Sequence, residues 1–191
     1  MNDERRAPPI RVRVTGLQEA QLPELAAIER RVAEAQATAG SATPLDERGI
    51  LGLLRLHDVR VLEADHDPAG YLAWRDEAPG IAVLERVTIE PTLRWFGLGT
   101  RLLREVGEKA TSHGIPLAAC VVPERDQAAA AFLAKRGFGR ASDDPTKLPE
   151  ALVAWRAEQP ALVGAEGVVL WWGRTDGLGT IPGLPPPVPV W

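Results

Sequence analysis

One segment, residues 85–103, constrains this chain more than any other, because it places two glycines between a strand pattern and a helix pattern. Its first part alternates apolar and polar residues up to Pro91, and leucines at helical spacing follow Gly99. Glycines at such a turn let backbone N–H groups converge on a small hollow, and the helix behind them adds the positive end of its dipole. The segment therefore predicts an anion site, for which phosphate is the usual ligand.

Two common phosphate-binding motifs do not fit these glycines. A nucleotide P-loop requires Lys and then Ser or Thr directly after its last glycine, whereas Gly99 is followed by Thr100 and Arg101. The dinucleotide fingerprint requires a third Gly or Ala three residues after the second, and that position is Leu102. Nucleoside triphosphates and dinucleotides are therefore not the expected ligands.

The spacing that does fit is hydrophobic-x-Pro-x-x-Arg-x-x-Gly-x-Gly, at Ile89, Pro91, Arg94, Gly97 and Gly99. It resembles the signature of the GNAT superfamily of acyl-CoA-dependent N-acetyltransferases, in which this loop cradles the pyrophosphate of coenzyme A. The alternative is an ordinary strand-to-helix turn that uses glycine for its geometry. The resemblance assigns the pyrophosphate contacts to Arg94, Trp95, Phe96, Gly97, Leu98, Gly99 and Thr100.

The same resemblance implies how the rest of the cofactor is bound. In the family, two central strands splay apart before the loop, so that the pantetheine arm pairs with strand backbone and a main-chain N–H stabilises the oxyanion. The corresponding residues here are Val87, Thr88 and Ile89. Acetyl-CoA is therefore the implied co-substrate, no metal is required, and the acetyl group passes directly to an amine.

Glu85 is the candidate general base. In a simple alternation it shares a strand face with Val87 and Ile89, and a carboxylate on an apolar face is costly unless it lies in a cleft or is paired. Its place six residues before Pro91 also matches where many members of the family carry a catalytic Glu. Two alternatives stay open: a salt bridge with a neighbouring Arg, such as Arg86, and a change of strand parity at a β-bulge.

A second region resembles the family's helix with Asn, Ala and Phe-Tyr before a Gly-Phe. Asp126 stands in the Asn position and is assigned to the cofactor site, Ala129 stands in the Ala position, and Leu133 stands in the Tyr position. In many relatives that Tyr protonates the departing thiolate, which Leu133 cannot do. Solvent is then the proton source, since a thiol with a pKa of about 8.5 is a tolerable leaving group. Reduced activity and absence of activity both stay open.

The order of predicted elements resembles that of the family from about residue 10 to residue 173. The expected fold is α/β (α+β): a mixed, largely antiparallel sheet of six to seven strands, flanked by helices, with splayed central strands. Residues 1–174 form the predicted domain, in which residues 142–167 are an inserted helix and loop. Residues 175–191 form a Pro- and Gly-rich tail. This tail is either flexible or docks through Trp191 on a neighbouring subunit of a homodimer.

Composition and charge narrow the function further. A net charge of −4 and a pI near 5.5 argue against a nucleic-acid partner, although Arg94, Arg101 and Arg104 gather around the glycine turn. The single Cys120 excludes an internal disulfide and is expected to be a core residue. The chain start lacks the apolar run of a signal peptide, and no segment has membrane-spanning length. These features predict a cytoplasmic protein with no membrane partner.

The expected acceptor is an amine on a small molecule or a peptide. In the family it is shaped by the first helix, the loop after it and the C-terminal strands. Here that loop covers residues 37–46, whose small residues impose no charge preference. The alternative from another class is a non-catalytic acyl-CoA-binding or partner-binding module, which the missing Tyr favours and Glu85 opposes.

Overall fold

The computed structural model describes residues 11–36, 43–77, 80–160 and 167–178. Within them, the helices are α1 (Leu22–Ala35), α2 (Glu47–Leu53), α3 (Leu98–Ser112), α4 (Gln127–Ala134) and α5 (Glu150–Glu158). The strands are β1 (Val12–Gly16), β2 (Asp58–Ala64), β3 (Asp67–Glu77), β4 (Ile81–Ile89), β5 (Leu117–Pro123), β6 (Gly139–Arg140) and β7 (Val168–Arg174). They form one seven-stranded sheet in the order β1-β2-β3-β4-β5-β7-β6. All neighbouring pairs are antiparallel except β4 and β5, which confirms the predicted mixed, largely antiparallel sheet.

Capping residues explain where several helices begin and end. Asp46 caps α2 by accepting a hydrogen bond from the Gly49 N–H at 2.7 Å, as short polar residues at this position usually do. Asp126 caps α4 by accepting one from the Ala129 N–H at 2.9 Å. After α3, Gly114 takes a φ of +73°, a left-handed conformation that glycine adopts without strain. Gly114 therefore ends α3, as a glycine at this position usually does.

Helices cover both faces of the sheet. α3 and α4 pack on what we name the α3 face, formed by Leu72, Trp74, Ala82, Leu84, Ala118 and Cys120. α1, α2 and α5 pack on the α1 face, formed by Tyr71, Ala73, Ile81, Val83, Leu117 and Ala119. The inserted helix α5 buries Leu152 and Trp155 completely, so it is part of the core rather than a surface addition.

The two central strands pair only briefly before they separate. The parallel register of β4 and β5 covers three residue pairs, from Ile81 with Leu117 to Val83 with Ala119. Both strands then continue, β4 to Ile89 and β5 to Pro123, without pairing to each other. Backbone N–H and C=O groups along the opening thus lack a strand partner across the gap. The predicted splayed strands are confirmed.

A β-bulge in β4 lies at the mouth of this opening. Ala73 of β3 pairs with Arg86, but the next residue, Trp74, pairs with Leu84, so Glu85 is an extra residue without a partner in β3. An extra residue of this kind changes which face the following side chains occupy.

The bulge corrects the predicted alternation along β4. Val83 lies on the α1 face before the bulge. After it, Thr88 contacts α1, whereas Ile89 packs into the core on the α3 face. Glu85 therefore does not share a face with Ile89, as a simple alternation predicted, and the bulge that the sequence left as an alternative is present.

The packed domain extends beyond its predicted end at residue 174. Thr175 donates its hydroxyl to the Ile115 carbonyl at 2.6 Å, and Leu178 is 3% exposed in the core on the α3 face. Residues 175–178 are therefore not part of a free tail, because an apolar side chain and a hydroxyl fix them to α3 and its C-terminal turn. Residues 179–191, including Trp191, lie outside the described residues.

Replacing Gly107 with Ala tests this packing. A Cβ at Gly107 of α3 would lie 2.6 Å from the Thr175 carbonyl oxygen and 2.8 Å from the Leu178 Cβ, so the backbone would have to shift. We expect Gly107→Ala to lower the free energy of unfolding by about 1–3 kcal/mol, the usual cost of overpacking. Urea titration of the purified variant measures it.

The matched control is Gly52→Ala in α2, where nothing lies within 4 Å of the added Cβ. Helix propensity then predicts unchanged stability or a gain of up to about 1 kcal/mol. If Gly107→Ala changed the free energy of unfolding no more than this control does, the result would contradict the packing of residues 175–178 on α3.

Candidate active site

The glycine loop between β4 and α3 has the backbone shape that an anion site needs. After a single 3-10 turn at Pro91–Leu93, φ is positive at Trp95 (+76°) and at Gly97 (+78°). Gly97 is the N-cap residue of α3, and within the described residues no side chain caps the first turn and no acid lies in it. The first N–H groups of α3 are therefore open to an anion.

Exposed apolar side chains accompany this anion site. Trp95 and Phe96 on the loop are 95% and 67% exposed, and Val87 on β4 is 40% exposed. Trp95 also holds a left-handed backbone conformation, which costs a non-glycine residue about 1–3 kcal/mol. Apolar surface beside an anion site suits a ligand that has both phosphate groups and a hydrocarbon arm.

Helix α4 locks the loop in place. A Cβ on Gly99 would lie 3.1 Å from the Phe132 Cζ, so glycine allows α4 to approach the first turn of α3. Arg136, just after α4, donates from Nε to the Thr100 hydroxyl at 2.7 Å. Its guanidinium lies 5.2 Å from the centre of the Phe132 ring. The loop is thereby held in shape by its neighbours.

Arg136 is a residue that the sequence reasoning missed as part of the site. Burial lowers the pKa of Arg136, and a cation near the positive end of α3 is electrostatically unfavourable without an anion. An anionic ligand at the loop would offset both effects. The sequence signal for Arg136 is weak, because Arg136 lies outside the motif and resembles an ordinary helix C-terminal cation.

Two positions of the second family-like region, Asp126 and Leu133, have structural roles. One carboxylate oxygen of Asp126 caps α4, and Leu133 is 5% exposed in the core on the α3 face. Leu133 therefore supplies packing where the family pattern has a Tyr.

Glu85 lies at the mouth of the opening, two residues after the last β4 residue that pairs with β5. Its side chain is 39% exposed, and its Oε2 lies 3.1 Å from the Arg75 Nη1 and 3.9 Å from the His57 Nε2. The prediction that Glu85 lies on an apolar face is therefore wrong. The alternative salt bridge is formed, with Arg75 rather than with Arg86, because the bulge turns Glu85 towards β3 and the end of α2.

A buried carboxylate, Glu29 of α1, organises the α1 face beside Glu85. It is 1% exposed and accepts hydrogen bonds from the Tyr71 hydroxyl at 2.8 Å and the Thr88 hydroxyl at 2.6 Å. Arg86 binds it with two guanidinium nitrogens. Burial alone would raise the pKa of Glu29, but the hydrogen bonds and charge of these partners outweigh it and lower the pKa. Glu29 is therefore ionised and fully paired.

The same network holds the segment that follows α1. The Leu45 N–H donates to Glu29 at 3.2 Å, and Arg86 donates to the Thr43 carbonyl at 3.0 Å. The described end of the predicted acceptor loop is thus fixed over β4. Residues 37–42 of that loop lie outside the described residues.

Glu29→Gln tests whether this charge is essential to the fold. The amide keeps the shape but leaves the Arg86 guanidinium without a counterion, so we expect a loss of about 3–5 kcal/mol at pH 7. A lowered pKa in the folded state means that this stability is present above the unfolded pKa of about 4.3 and is lost as the pH falls through the folded value. The measurement is urea unfolding at pH 7 and at several values below 4.

The control is Glu34→Gln, an exposed position on the same helix, where we expect a change within about 0.5 kcal/mol. The difference between wild type and Glu29→Gln should shrink as the solution becomes more acidic. A difference that stays constant with pH would contradict an ionised Glu29.

Other chemistry-bearing residues carry no site in the described part of the chain. Burial raises the pKa of Cys120 to about 12, so it remains a thiol and not a nucleophile. In the described ranges, no group of three or more His, Cys, Asp or Glu is placed to hold a metal ion. Nor is any described helix both long enough and apolar enough to cross a bilayer.

Three features of this site match the arrangement that the sequence resemblance implied for acyl-CoA-dependent transferases. They are the separated parallel strands, the glycine loop with the open N-terminus of α3, and a carboxylate at the mouth of the opening. The sequence model of the Acetyltransferase (GNAT) family matches residues 25–138, more than half of the chain. The chain belongs to this family. A comparison with curated proteins gave no match.

Solved structures of acetyltransferases share the fold. The PaiA N-acetyltransferase of Thermoplasma acidophilum, in complex with coenzyme A, has a TM-score of 0.68 and 14% identity over 86% of this chain and 99% of its own. N-acetylglutamate synthase of Neisseria gonorrhoeae, complexed with coenzyme A and N-acetyl-glutamate, has a TM-score of 0.62 and 22% identity. The match covers 88% of this chain and 36% of the synthase. A ribosomal-protein-alanine N-acetyltransferase of Escherichia coli has a TM-score of 0.62 and 17% identity, over 87% of this chain and 95% of its own. At these identities the likeness establishes the fold alone.

Proposed function

We propose that this protein transfers the acetyl group of acetyl-CoA directly to an amine of a small molecule or a peptide. The observation that carries the proposal is the opening between β4 and β5, with the uncapped N-terminus of α3 at its end. Family membership supports acyl transfer from an acyl-CoA donor, and two of the similar structures contain coenzyme A.

In this proposal the cofactor lies along β4 and ends at the glycine loop. The backbone of Val87, Thr88 and Ile89 pairs with the pantetheine arm, and the amides from Trp95 to Thr100 bind the pyrophosphate, with Arg94 at the start of the loop. The Thr88 hydroxyl already donates to Glu29, so the proposed contact of Thr88 with the cofactor is through its main chain. Asp126, at the start of α4, remains a proposed contact through the carboxylate oxygen that does not cap the helix.

The proposed chemistry is a single displacement at the thioester. Glu85 accepts a proton from the acceptor amine, through a water molecule, as the new C–N bond forms. A main-chain N–H of β4 stabilises the oxyanion, and the C–S bond then breaks to release a thiolate. Solvent protonates that thiolate, because Leu133 has no acidic group to donate.

The acceptor is expected on the α1 face, where Glu85 and the segment after α1 lie. The similar structures span two acceptor classes: one is named for an alanine of a ribosomal protein, and one contains N-acetyl-glutamate. Both a peptide amine and a small-molecule amine are therefore within the range of this fold.

One observation favours a second candidate function. Leu133 is buried in the core, so the position where many relatives carry the acid has none. A non-catalytic acyl-CoA-binding module would bind acetyl-CoA but transfer nothing to any amine.

Calorimetric titration with acetyl-CoA and then with coenzyme A tests the cofactor site. We expect micromolar binding, weakened at least about 10-fold in Gly97→Val, because a β-branched residue at φ +78° distorts the loop. The matched control is Gly114→Val at the other end of α3, which has a similar φ of +73° and equally open surroundings. Absence of binding at millimolar acetyl-CoA would contradict both candidate functions, and equal weakening in the control would contradict the assignment of the loop.

Glu85→Gln tests the proposed base. Acceptors are first screened by thiol release from acetyl-CoA with a panel of amino-acid amides, diamines, amino sugars and short peptides. With the best amine, we expect Glu85→Gln to lower kcat by roughly 100-fold or more, as loss of a general base does, with unchanged acetyl-CoA affinity.

The control for Glu85→Gln is Asp176→Asn. It also removes a carboxylate paired with an arginine, Arg174 at 2.8 Å, but Asp176 follows β7 at the end of the sheet where β4 and β5 are paired, away from the opening. Unchanged turnover in Glu85→Gln would refute the base assignment. Acetyl-CoA binding without turnover on any amine would favour the non-catalytic module.

A further inference from the structure

We infer that the inserted helix α5 positions the proposed base Glu85 through a relay of side chains, and that His57 fixes the relay from the opposite side. This inference rests on the proposed function, because it requires Glu85 to act as the base. The members of the relay, in order from the helix to the base, are Trp155, Glu77, Arg75 and Glu85.

Arg75 of β3 is the centre of the relay. Its Nε lies 2.5 Å from the Glu77 Oε1, and its Nη1 lies 3.1 Å from the Glu85 Oε2 and 3.2 Å from the His57 Nε2. The Arg75 side chain is only 23% exposed. With both edges of the guanidinium engaged, its orientation is set before any substrate arrives.

His57 supplies a neutral acceptor. Its Nδ1 lies 3.0 Å from the Leu53 carbonyl oxygen at the end of α2, so Nδ1 carries the proton and Nε2 accepts from Arg75. The imidazole is 7% exposed and adds no second positive charge beside Glu85. It therefore orients Arg75 without competing for the carboxylate.

Trp155 supplies the other anchor. This residue of α5 is fully buried, and its Nε1 donates to the Glu77 Oε2 at 2.7 Å. Gln159, just after the helix, lies 3.4 Å from the same oxygen. Glu77 thus turns its second oxygen to Arg75, and the core of the domain determines where Arg75 lies.

Glu77 also solves an electrostatic problem that the proposed reaction creates. When Glu85 accepts a proton it loses its negative charge, and Glu85 alone would then leave the half-buried Arg75 without a counterion, which is strongly unfavourable. Because Glu77 is the closer partner, Arg75 stays paired in both protonation states of Glu85. The relay therefore holds the base in place, and Arg75 keeps a counterion throughout the proposed reaction.

The test is a double-mutant cycle with Glu77→Gln and Glu85→Gln, with the best amine of the panel as acceptor. Glu77→Gln keeps a side-chain oxygen that can accept from Trp155 but removes the negative charge. We expect Glu77→Gln to lower kcat by roughly 10-fold, the scale of a small misplacement of a catalytic group, with unchanged KM for acetyl-CoA. In the Glu85→Gln background we expect no further loss.

Each outcome of the cycle has a separate meaning. An equal loss from Glu77→Gln in both backgrounds would overturn the inference while leaving Glu85 as the base. Full activity in Glu85→Gln would overturn the base assignment and this inference together. A fall in the unfolding midpoint with unchanged kcat would show that the relay is structural only.

A second pair of variants needs no measurement in the weakly active Glu85→Gln background. His57→Gln places an amide oxygen where Nε2 accepts from Arg75, whereas His57→Leu removes the acceptor. We expect His57→Gln to retain kcat within about 3-fold and His57→Leu to lose roughly 10-fold, with acetyl-CoA affinity equal in both variants. Equal kcat in the two variants would overturn the role of His57.

Discussion

The separation of β4 from β5 is the constraint on which the rest of the site depends. Each strand is secured on its outer edge: β4 pairs with β3 almost from end to end, and β5 pairs with β7 along its whole length. The sheet therefore stays intact while its centre is open. The inner edges keep unpaired backbone groups that need a partner, and α3 begins where the opening ends, so backbone donors and an anion-binding helix terminus lie in one line.

The bulge at Glu85 decides which charges reach this opening. It places two consecutive charged residues on the α1 face and sends them to different partners, Arg86 to Glu29 and Glu85 to Arg75. In a regular strand without the bulge, alternation would place Arg86 on the same face as Leu84, the α3 face, where the core is apolar and an unpaired guanidinium is costly. The irregularity in β4 is therefore what allows a buried ion pair and an exposed carboxylate to be sequence neighbours.

The sequence predicts best what depends on local pattern. The bounds of β4, Ile81–Ile89, follow from its turn residues and its apolar character, and the end of α3 follows from Gly114, because both signals lie within the segment itself. The register between β3 and β4 is a property of two strands, so the bulge was visible only as an alternative. Glu29 did carry a signal, since it falls within the apolar stripe of α1 that contains Leu25 and Ile28, and a carboxylate there requires a partner. That the partner is Arg86, 57 residues later, could not be read from one sequence.

The ion pairs on the α1 face are arranged so that the proposed base, Glu85, is not the sole partner of any arginine. Arg86 belongs to Glu29, and Arg75 is shared between Glu77 and Glu85. These three acids and two arginines sum to one excess negative charge, and Glu85 is the most exposed of the acids, whereas Glu29 is sealed in the core. Protonating Glu29 would strand Arg86, but protonating Glu85 leaves both arginines paired. The same excess charge favours the approach of an ammonium group, so the arrangement supports the proposal that an amine is the acceptor and that Glu85 accepts its proton.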